Sequence, residues 1–357
     1  MSVADRPASE RPVRRRLRLR LPAAERAGAR SRKTNVALLA LLVLAWVSGG
    51  SSFLLGGFST AWLVTLHGVV GFGVLVLARP KVPVVRRGLR RRRPSRYASM
   101  ALGVCVTGAF ATGVVHALGF WQAIGVWSAM GLHLIFAFAA VPLALWHVVG
   151  RPQRIRPVDL SRRTALQALA VAGVALAARG GFERFVAAER RFTGSHEVGS
   201  GEPRRMPVVQ WLNDSPPTIR PEDWVLRLRG STDRDVDYQE LIGHAATTEA
   251  TLDCTSGWYS TQTWTGVALA DLLGAEEVSG RSLEVRSATG YARRFPLSDA
   301  RHLILAHSVG GEPLSRGHGF PARLVAPGRR GLGWVKWVTE IRTSDRPWWV
   351  QTPIPFT

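Results

Sequence analysis

The chain has 357 residues, only two cysteines, and a formal net charge of +22. A charge of that size suggests nucleic acid when it covers a polar surface. Here it lies in three blocks, 1–35, 79–96 and 151–163, which alternate with apolar stretches. No acidic residue occurs between Glu25 and Asp159, and residues 164–357 are close to neutral. The charge is therefore topological, and no nucleic-acid partner is expected.

Four apolar spans are predicted at 35–55, 60–78, 97–118 and 124–149. Each is long enough to cross a hydrocarbon core of roughly 30 Å at about 1.5 Å per helical residue. The connections near 50–60 and 119–123 carry no charge, whereas the three basic blocks lie at the other ends of the spans. The bias of Lys and Arg toward the cytoplasm then places those blocks inside. The expectation is a multi-pass cell-membrane protein with a basic cytoplasmic tail at 1–34 and a four-helix transmembrane domain at 35–149.

Histidines mark that apolar half: His67, His116, His133 and His147. Ionisable groups are costly in lipid and are functional candidates there, and a histidine pair can hold haem iron axially. His133 and His147 are 14 residues apart, within about 40° on one helix face and roughly 21 Å along it. The region resembles membrane b-type cytochromes. On the predicted topology His67 and His133 differ in depth by only about 3 Å, so they form the expected pair for one outer haem b. The competing reading makes these histidines hydrogen-bonded packing residues. Cys105 and the small residues between Gly103 and Gly113 need no more than close helix packing.

A fifth apolar run, 164–178, is short and alanine-rich, and suits an export-signal core better than an independent span. Ser161-Arg162-Arg163-Thr164 before it resembles a twin-arginine export motif; the alternative is an ordinary membrane-flanking cluster. Segment 150–180 is read as a retained fifth anchor, and 181–207, rich in glycine and serine, as a polar linker. From 208 to 357 short alternating segments dominate, with strands predicted at 224–228, 283–286, 322–325 and 334–341 and helices at 238–241 and 269–273.

The stretch 250–273 holds Cys254 among Trp258, Trp264 and several hydroxyls, and reads as a loop handing over to a helix. With no second cysteine nearby, a zinc knuckle is excluded. Cys254 is then a nucleophile, a core residue, or the single protein ligand of a metal otherwise held by a cofactor.

Cys254-x-x-Gly257-Trp258, Trp264-x-Gly266-Val267, His318-Gly319-Phe320-Pro321-Ala322-Arg323 and Gly333-Trp334-Val335-Lys336-Trp337 occur in this order. Across 206–341 the chain resembles sulfite-oxidase-type molybdopterin proteins. The resemblance implies an α+β, strand-rich fold, a molybdenum-molybdopterin cofactor, Cys254 as the metal ligand, and Asn213, His318, Arg323, Val335 and Lys336 as cofactor contacts. The residue types agree: Arg323 and Lys336 suit a phosphate, and the glycines of 328–333 let backbone N–H groups approach an anion. A domain that acquires such a cofactor in the cytoplasm crosses the membrane folded, the route a twin-arginine signal serves.

One departure bears on the substrate. Arginines follow the metal-binding cysteine in sulfite-oxidising members, whereas Thr255, Ser256, Gly257, Trp258 and Tyr259 follow it here. The aromatic, hydroxyl-lined mouth is more similar to the sulfoxide-reducing branch. Tyr259 and Arg293, the latter beside Arg294 after Gly290-Tyr291, are the further catalytic candidates. The expected whole is an all-α transmembrane bundle of four spans plus a fifth short helix, followed by a sulfite-oxidase-like domain at 208–357 outside the cytoplasm. It would transfer an oxygen atom to or from a small molecule and exchange electrons with the membrane through quinone or a protein partner. The alternatives are a b-type cytochrome with a non-catalytic C-terminal binding module, and a structural anchor without cofactor.

Overall fold

The computed structural model describes residues 23–89, 95–120, 127–150, 161–186, 189–211, 214–230, 233–274 and 279–353. Residues 1–22 of the basic tail, most of the 151–163 block, the expected start of the fourth span and Asn213 lie outside the described residues.

Eight helices are described: α1 (Ala23–Leu54), α2 (Ala61–Ala78), α3 (Val82–Leu89), α4 (Ser95–Ala117), α5 (Ala129–Val149), α6 (Arg162–Phe185), α7 (Tyr238–Ile242) and α8 (Leu269–Leu273). Of these, α1, α2, α4, α5 and α6 are long and apolar enough to cross a membrane. Their outward faces stay apolar and uncovered, as at Val104 and Leu145, the signature of helices whose solvent is lipid. α5 begins at Ala129, where the Ser128 hydroxyl accepts from Gly131 N at 2.9 Å and caps the first turn. α6 is longer than its 15-residue apolar run: it is capped by Ser161 and continues through Gly180 and Gly181 to Phe185. The Arg179–Glu183 pair, one turn apart at 3.3 Å, spans the two glycines, and Glu183 also accepts from Arg190 at 2.5 Å.

The bundle is built from two equivalent helical hairpins, α1–α2 and α4–α5. Ala45-Trp46-Val47-Ser48-Gly49 in α1 matches Ala109-Phe110-Ala111-Thr112-Gly113 in α4. In the first hairpin His67 of α2 rests on Gly49 and its Nδ1 donates to Ala45 O at 3.0 Å; in the second His133 of α5 rests on Gly113 and its Nδ1 donates to Ala109 O at 2.7 Å. The aromatic of each motif meets the phenylalanine five residues beyond the histidine of the other hairpin, Trp46 with Phe138 and Phe110 with Phe72. The two hairpins are thus related by a pseudo-twofold relation, and His67 and His133 meet edge to face with ring centroids 5.8 Å apart.

Among the described residues the C-terminal part has eleven strands: β1 (His196–Glu197), β2 (Val225–Arg229), β3 (Arg234–Asp237), β4 (Ala246–Asp253), β5 (Trp258–Ala268), β6 (Ser282–Ser287), β7 (Ala292–Pro296), β8 (Ile304–Val309), β9 (Glu312–Pro313), β10 (Arg323–Val325) and β11 (Val338–Ser344). One sheet runs β1-β5-β8-β10, with β4 also on β5 and β9 on β8; the other runs β3-β2-β11-β6-β7. Apolar residues from both, among them Leu226, Leu228, Trp264, Leu283, Leu305 and Ile341, share one core.

The stretch 250–273 is not a loop leading to a helix. It is mostly a β-hairpin, β4 paired antiparallel with β5 from Asp253↔Tyr259 to Ala246↔Gly266, and only its last five residues form α8. Trp258, Ser260, Gln262 and Trp264 face inward on alternate positions; buried hydroxyl and amide groups in that row hide the apolar period of two. The glycine- and serine-rich linker is likewise ordered where it meets the domain: His196 and Glu197 add a parallel strand to β5 at Trp258 and Tyr259. β11 starts four residues after the predicted boundary at Trp334, because Trp334 donates back to Gly331 and Trp337 takes a positive φ of 51°.

The domain sits on the end of the bundle whose connections carry no charge. Phe53 meets Trp211, Phe58 meets Phe192 at 5.3 Å, and His116 at the end of α4 meets His196 at 5.0 Å.

Candidate functional site

The hairpin turn between β4 and β5 presents Cys254 to a cavity in the C-terminal domain. Cys254 N donates to Trp258 O at 2.8 Å and Gly257 N donates to Cys254 O at 3.1 Å, closing a turn that needs φ +94° at Gly257. Sγ lies 3.1 Å from the Ser256 hydroxyl, and Cys254 is a free thiol. The segment after β10 lies directly behind the turn: a Cβ on Gly331 would stand 3.3 Å from Cys254 Cα. Its neighbour Arg330 is buried and ion-paired with Asp253.

Opposite the thiol, Arg323, Lys336 and His318 line the same cavity. Arg323 is 3% exposed, donates through Nη1 to His318 O at 3.0 Å, and sits against both the Trp264 and the Trp334 rings, 5.5 and 5.6 Å from their centroids. Its Nε has no partner. Burial draws its pKa down to about 10. Lys336 donates to Gly317 O at 2.6 Å and Val209 O at 2.9 Å; burial, reinforced by the nearby Arg323 charge, lowers its pKa to about 7. His318 donates through Nε2 to Met206 O at 3.1 Å and accepts at Nδ1 from Ser315, and burial followed by Arg323 lowers its pKa to about 4. Among the described residues no carboxylate lies within ion-pair distance of Arg323 or Lys336.

The remaining wall is aromatic. Trp258, Tyr291 and Trp334 line the cavity with Leu332. The Tyr291 hydroxyl donates to Leu332 O at 2.7 Å, and burial pushes its pKa upward, so it stays protonated. Two further buried polar atoms on the lining lack partners, Trp258 Nε1 and Asp214 Oδ1.

The sequence-predicted residues are thereby sorted by position. Cys254, His318, Arg323 and Lys336 converge on the cavity. Val335, between two lining residues, points into the core, with its carbonyl accepting from Leu324 N at 2.8 Å. Tyr259 is not a lining residue; next to Trp258 on β5 it faces the other side of the strand, where Arg191 stacks on its ring at 5.7 Å. Arg293 on β7 also lies off the cavity and donates to Thr352 O at 3.0 Å. Sequence reasoning missed Tyr291, Asp214 and Arg330. Gly290-Tyr291 closely precedes the Arg293 candidate, but nothing local shows which side chain of 291–294 turns inward. Among the described residues no three His, Cys, Asp or Glu side chains cluster to hold a metal.

A pterin cofactor with an anionic phosphate and two sulfurs on molybdenum fits these residues. The thiol is a soft ligand, the unpaired Arg323 and Lys336 await an anion, and the orphaned Arg323 Nε, Trp258 Nε1 and Asp214 Oδ1 are donors and an acceptor without partners.

Residues 213–351 match the family described as oxidoreductase molybdopterin binding domain. The NADH nitrate reductase of Spinacia oleracea is 28% identical over 203 residues, covering 42% of this chain and 22% of its own length. The mitochondrial sulfite oxidase of Drosophila melanogaster is 30% identical over 165 residues, covering 36% and 29%. The chain thus spans less than a third of either relative. A crystal structure of the sulfane dehydrogenase SoxCD from Paracoccus pantotrophus aligns at 27% identity over 37% of this chain and 40% of that one, with a TM-score of 0.35. The C-terminal part of the chain is a mixed α+β, sulfite-oxidase-like domain, similar over 213–351 to molybdopterin-binding oxidoreductase domains. It follows five long apolar helices in the same polypeptide.

Proposed function

We propose that this chain is a membrane-anchored molybdenum oxidoreductase that transfers an oxygen atom to or from a small molecule and exchanges the two electrons with the membrane. The observation that carries the reading is the single thiol of Cys254 facing the unpaired, buried Arg323 across one cavity. Bound there, the cofactor supplies two-electron oxygen-transfer chemistry, and the protein supplies its setting.

Cys254 would hold the metal, held still by its turn. Arg323, Lys336 and His318 would bind the anionic end of the pterin, and Trp258, Trp334 and Leu332 exclude water from it. Tyr291, kept protonated, presents a neutral aromatic face. The residues after Cys254 bring no cation to the mouth, which favours a neutral S=O substrate over sulfite. Arg293 and Tyr259, both off the cavity, are not needed for this reading.

In the bundle, both Nδ1 atoms of the His67–His133 pair are committed to backbone carbonyls, leaving each Nε2 with its lone pair. That supports one haem b near the end of the bundle facing the domain. The basic blocks at the opposite end support a cytoplasmic tail and an exported domain, reached through the Arg162-Arg163 segment.

Elemental analysis and an absorption spectrum of the purified full-length protein test the whole. Molybdenum together with a Soret band is expected. Haem without molybdenum would make the chain an electron-transfer protein with a non-catalytic module, and neither would leave only an anchor. Assays with sulfoxide and with sulfite decide the substrate class.

A further inference from the structure

The Gly331 segment backs the Cys254 turn at the cysteine itself, but the Gly257 side of the turn is met from outside the domain. It is covered by His116, the penultimate residue of α4, whose ring is buried between the two parts of the protein. A Cβ added to Gly257 would lie 2.5 Å from His116 Cε1, so the imidazole rests directly on the glycine of the turn. The ring is fixed from two sides. Its Nε2 donates to Gly194 O at 3.0 Å, and His196, which pairs with Trp258 at the other end of the turn, packs on it edge to face. His196 Nε2 in turn donates to His116 O at 2.7 Å, and His196 N donates to Gly257 O at 3.0 Å. His116 therefore ties the last turn of a membrane helix to the loop that carries the thiol. It also stands one turn beyond Gly113, on which His133 rests.

We propose that His116 is a positioning residue for Cys254: a membrane helix sets the conformation of the metal-ligand turn, so the site is complete only when the bundle is in place. This rests on Cys254 being the molybdenum ligand. Removing the imidazole opens a space under Gly257, lets the turn relax toward α4, and changes the orientation of the thiolate, while the cavity residues that hold the pterin are untouched.

The test uses full-length protein loaded with cofactor in detergent. Partial reduction generates Mo(V), whose EPR spectrum reports the sulfur ligand's geometry independently of turnover. His116→Ala is expected to retain molybdenum within about twofold of wild type and to shift the Mo(V) g-values. His116→Phe, which refills the space under Gly257 without the hydrogen bond, is expected to return the spectrum toward wild type. A His116→Ala spectrum that superimposes on wild type at full metal loading overturns the proposal. If the alanine variant does not accumulate, His116→Leu is read in its place; if neither yields folded, metal-loaded protein, His116 is a folding residue and the proposal falls. Wild-type protein without molybdenum, or a Cys254→Ser variant with an unchanged Mo(V) spectrum, would defeat the ligand assignment instead, and so separates the two failures.

Discussion

Arg330 Nη1 donates to Asp253 Oδ1 at 2.5 Å, while Nη2 of the same guanidinium donates to the carbonyl of Cys254 at 3.2 Å. One buried side chain thus joins an ion pair to the thiol-bearing turn. Asp253 also accepts from Ser195 and Thr193, both at 2.7 Å, and lies 3.3 Å from Arg191. Asp253→Asn keeps the shape and leaves the Arg330 charge buried without a counter-charge, which costs about 3–5 kcal/mol. The C-terminal domain's thermal transition should fall accordingly; a change below about 1 kcal/mol would show that the pair does not hold the turn.

Arg323 lines the cavity with a buried, unpartnered Nε and, among the described residues, no carboxylate beside it, so its loss should be felt by the cofactor rather than by the fold. Arg323→Gln is expected to lower pterin retention by about ten- to a hundredfold, the worth of a charged hydrogen bond to a phosphate. Fluorescence of the oxidised pterin released from equal amounts of folded protein measures it. Wild-type content in the variant would place the phosphate elsewhere.

His318 is held neutral, with a pKa near 4 in the folded domain against 6.5 for the free side chain. The unfolded chain takes up the proton first, so the stability that neutral His318 contributes is present above about pH 6.5 and is lost as pH falls toward 4. Once solvent screening at the site is allowed for, the loss is about 1–2 kcal/mol. His318→Gln can replace both hydrogen bonds without titrating. Its melting temperature should decline less between pH 6.5 and 4 than that of the wild type; parallel declines would assign the acid sensitivity to other groups.

For the histidine pair in the bundle, His67→Ala and His133→Ala should each remove a dithionite-reduced b-type spectrum. His147→Ala should leave it, because His147 lies at the far end of α5 beside Ser99, at 3.2 Å. Survival of the spectrum without His67 would reject the pair as ligands.

Arg162 and Arg163 open α6 behind the Ser161 cap. Replacing both by lysine preserves charge and helix, so a membrane flank tolerates it while a receptor-read export motif does not. Protease treatment of spheroplasts reads the result: continued digestion of the C-terminal domain in the double variant would rule out twin-arginine export.

Four of the five long apolar helices were legible because length and apolarity mark such a helix almost alone, whereas the run 164–178 read as too short because its helix extends at both ends through polar residues. The four cavity residues Cys254, His318, Arg323 and Lys336 were legible because they fall in three ordered blocks. What failed depended on direction. Tyr259 and Trp258 are adjacent aromatics, and only the pairing of β5 with β4 and β1 decides that the tryptophan faces the cavity. Arg293 attracted attention by its charge, whereas the neutral Tyr291 two positions earlier supplies the wall. The hairpin equivalence was present in the sequence as two short motifs 64 residues apart, too degenerate to notice until the structure paired their aromatics. Nor could any pattern reveal that His116 belongs to the thiol turn, since that contact joins residues about 140 positions apart in the sequence.

The connection between α6 and the domain carries a kinetic consequence. Only four residues separate Phe185 from Arg190, which is bridged to His196. Fully extended, such a stretch reaches no more than about 18 Å. The domain is leashed to the bundle at an effective concentration no free partner attains, in the millimolar range or above. Under the proposed function, electron delivery within one chain would follow first-order kinetics: its rate should be independent of protein dilution and insensitive to ionic strength, unlike a shuttle that must find its target by diffusion.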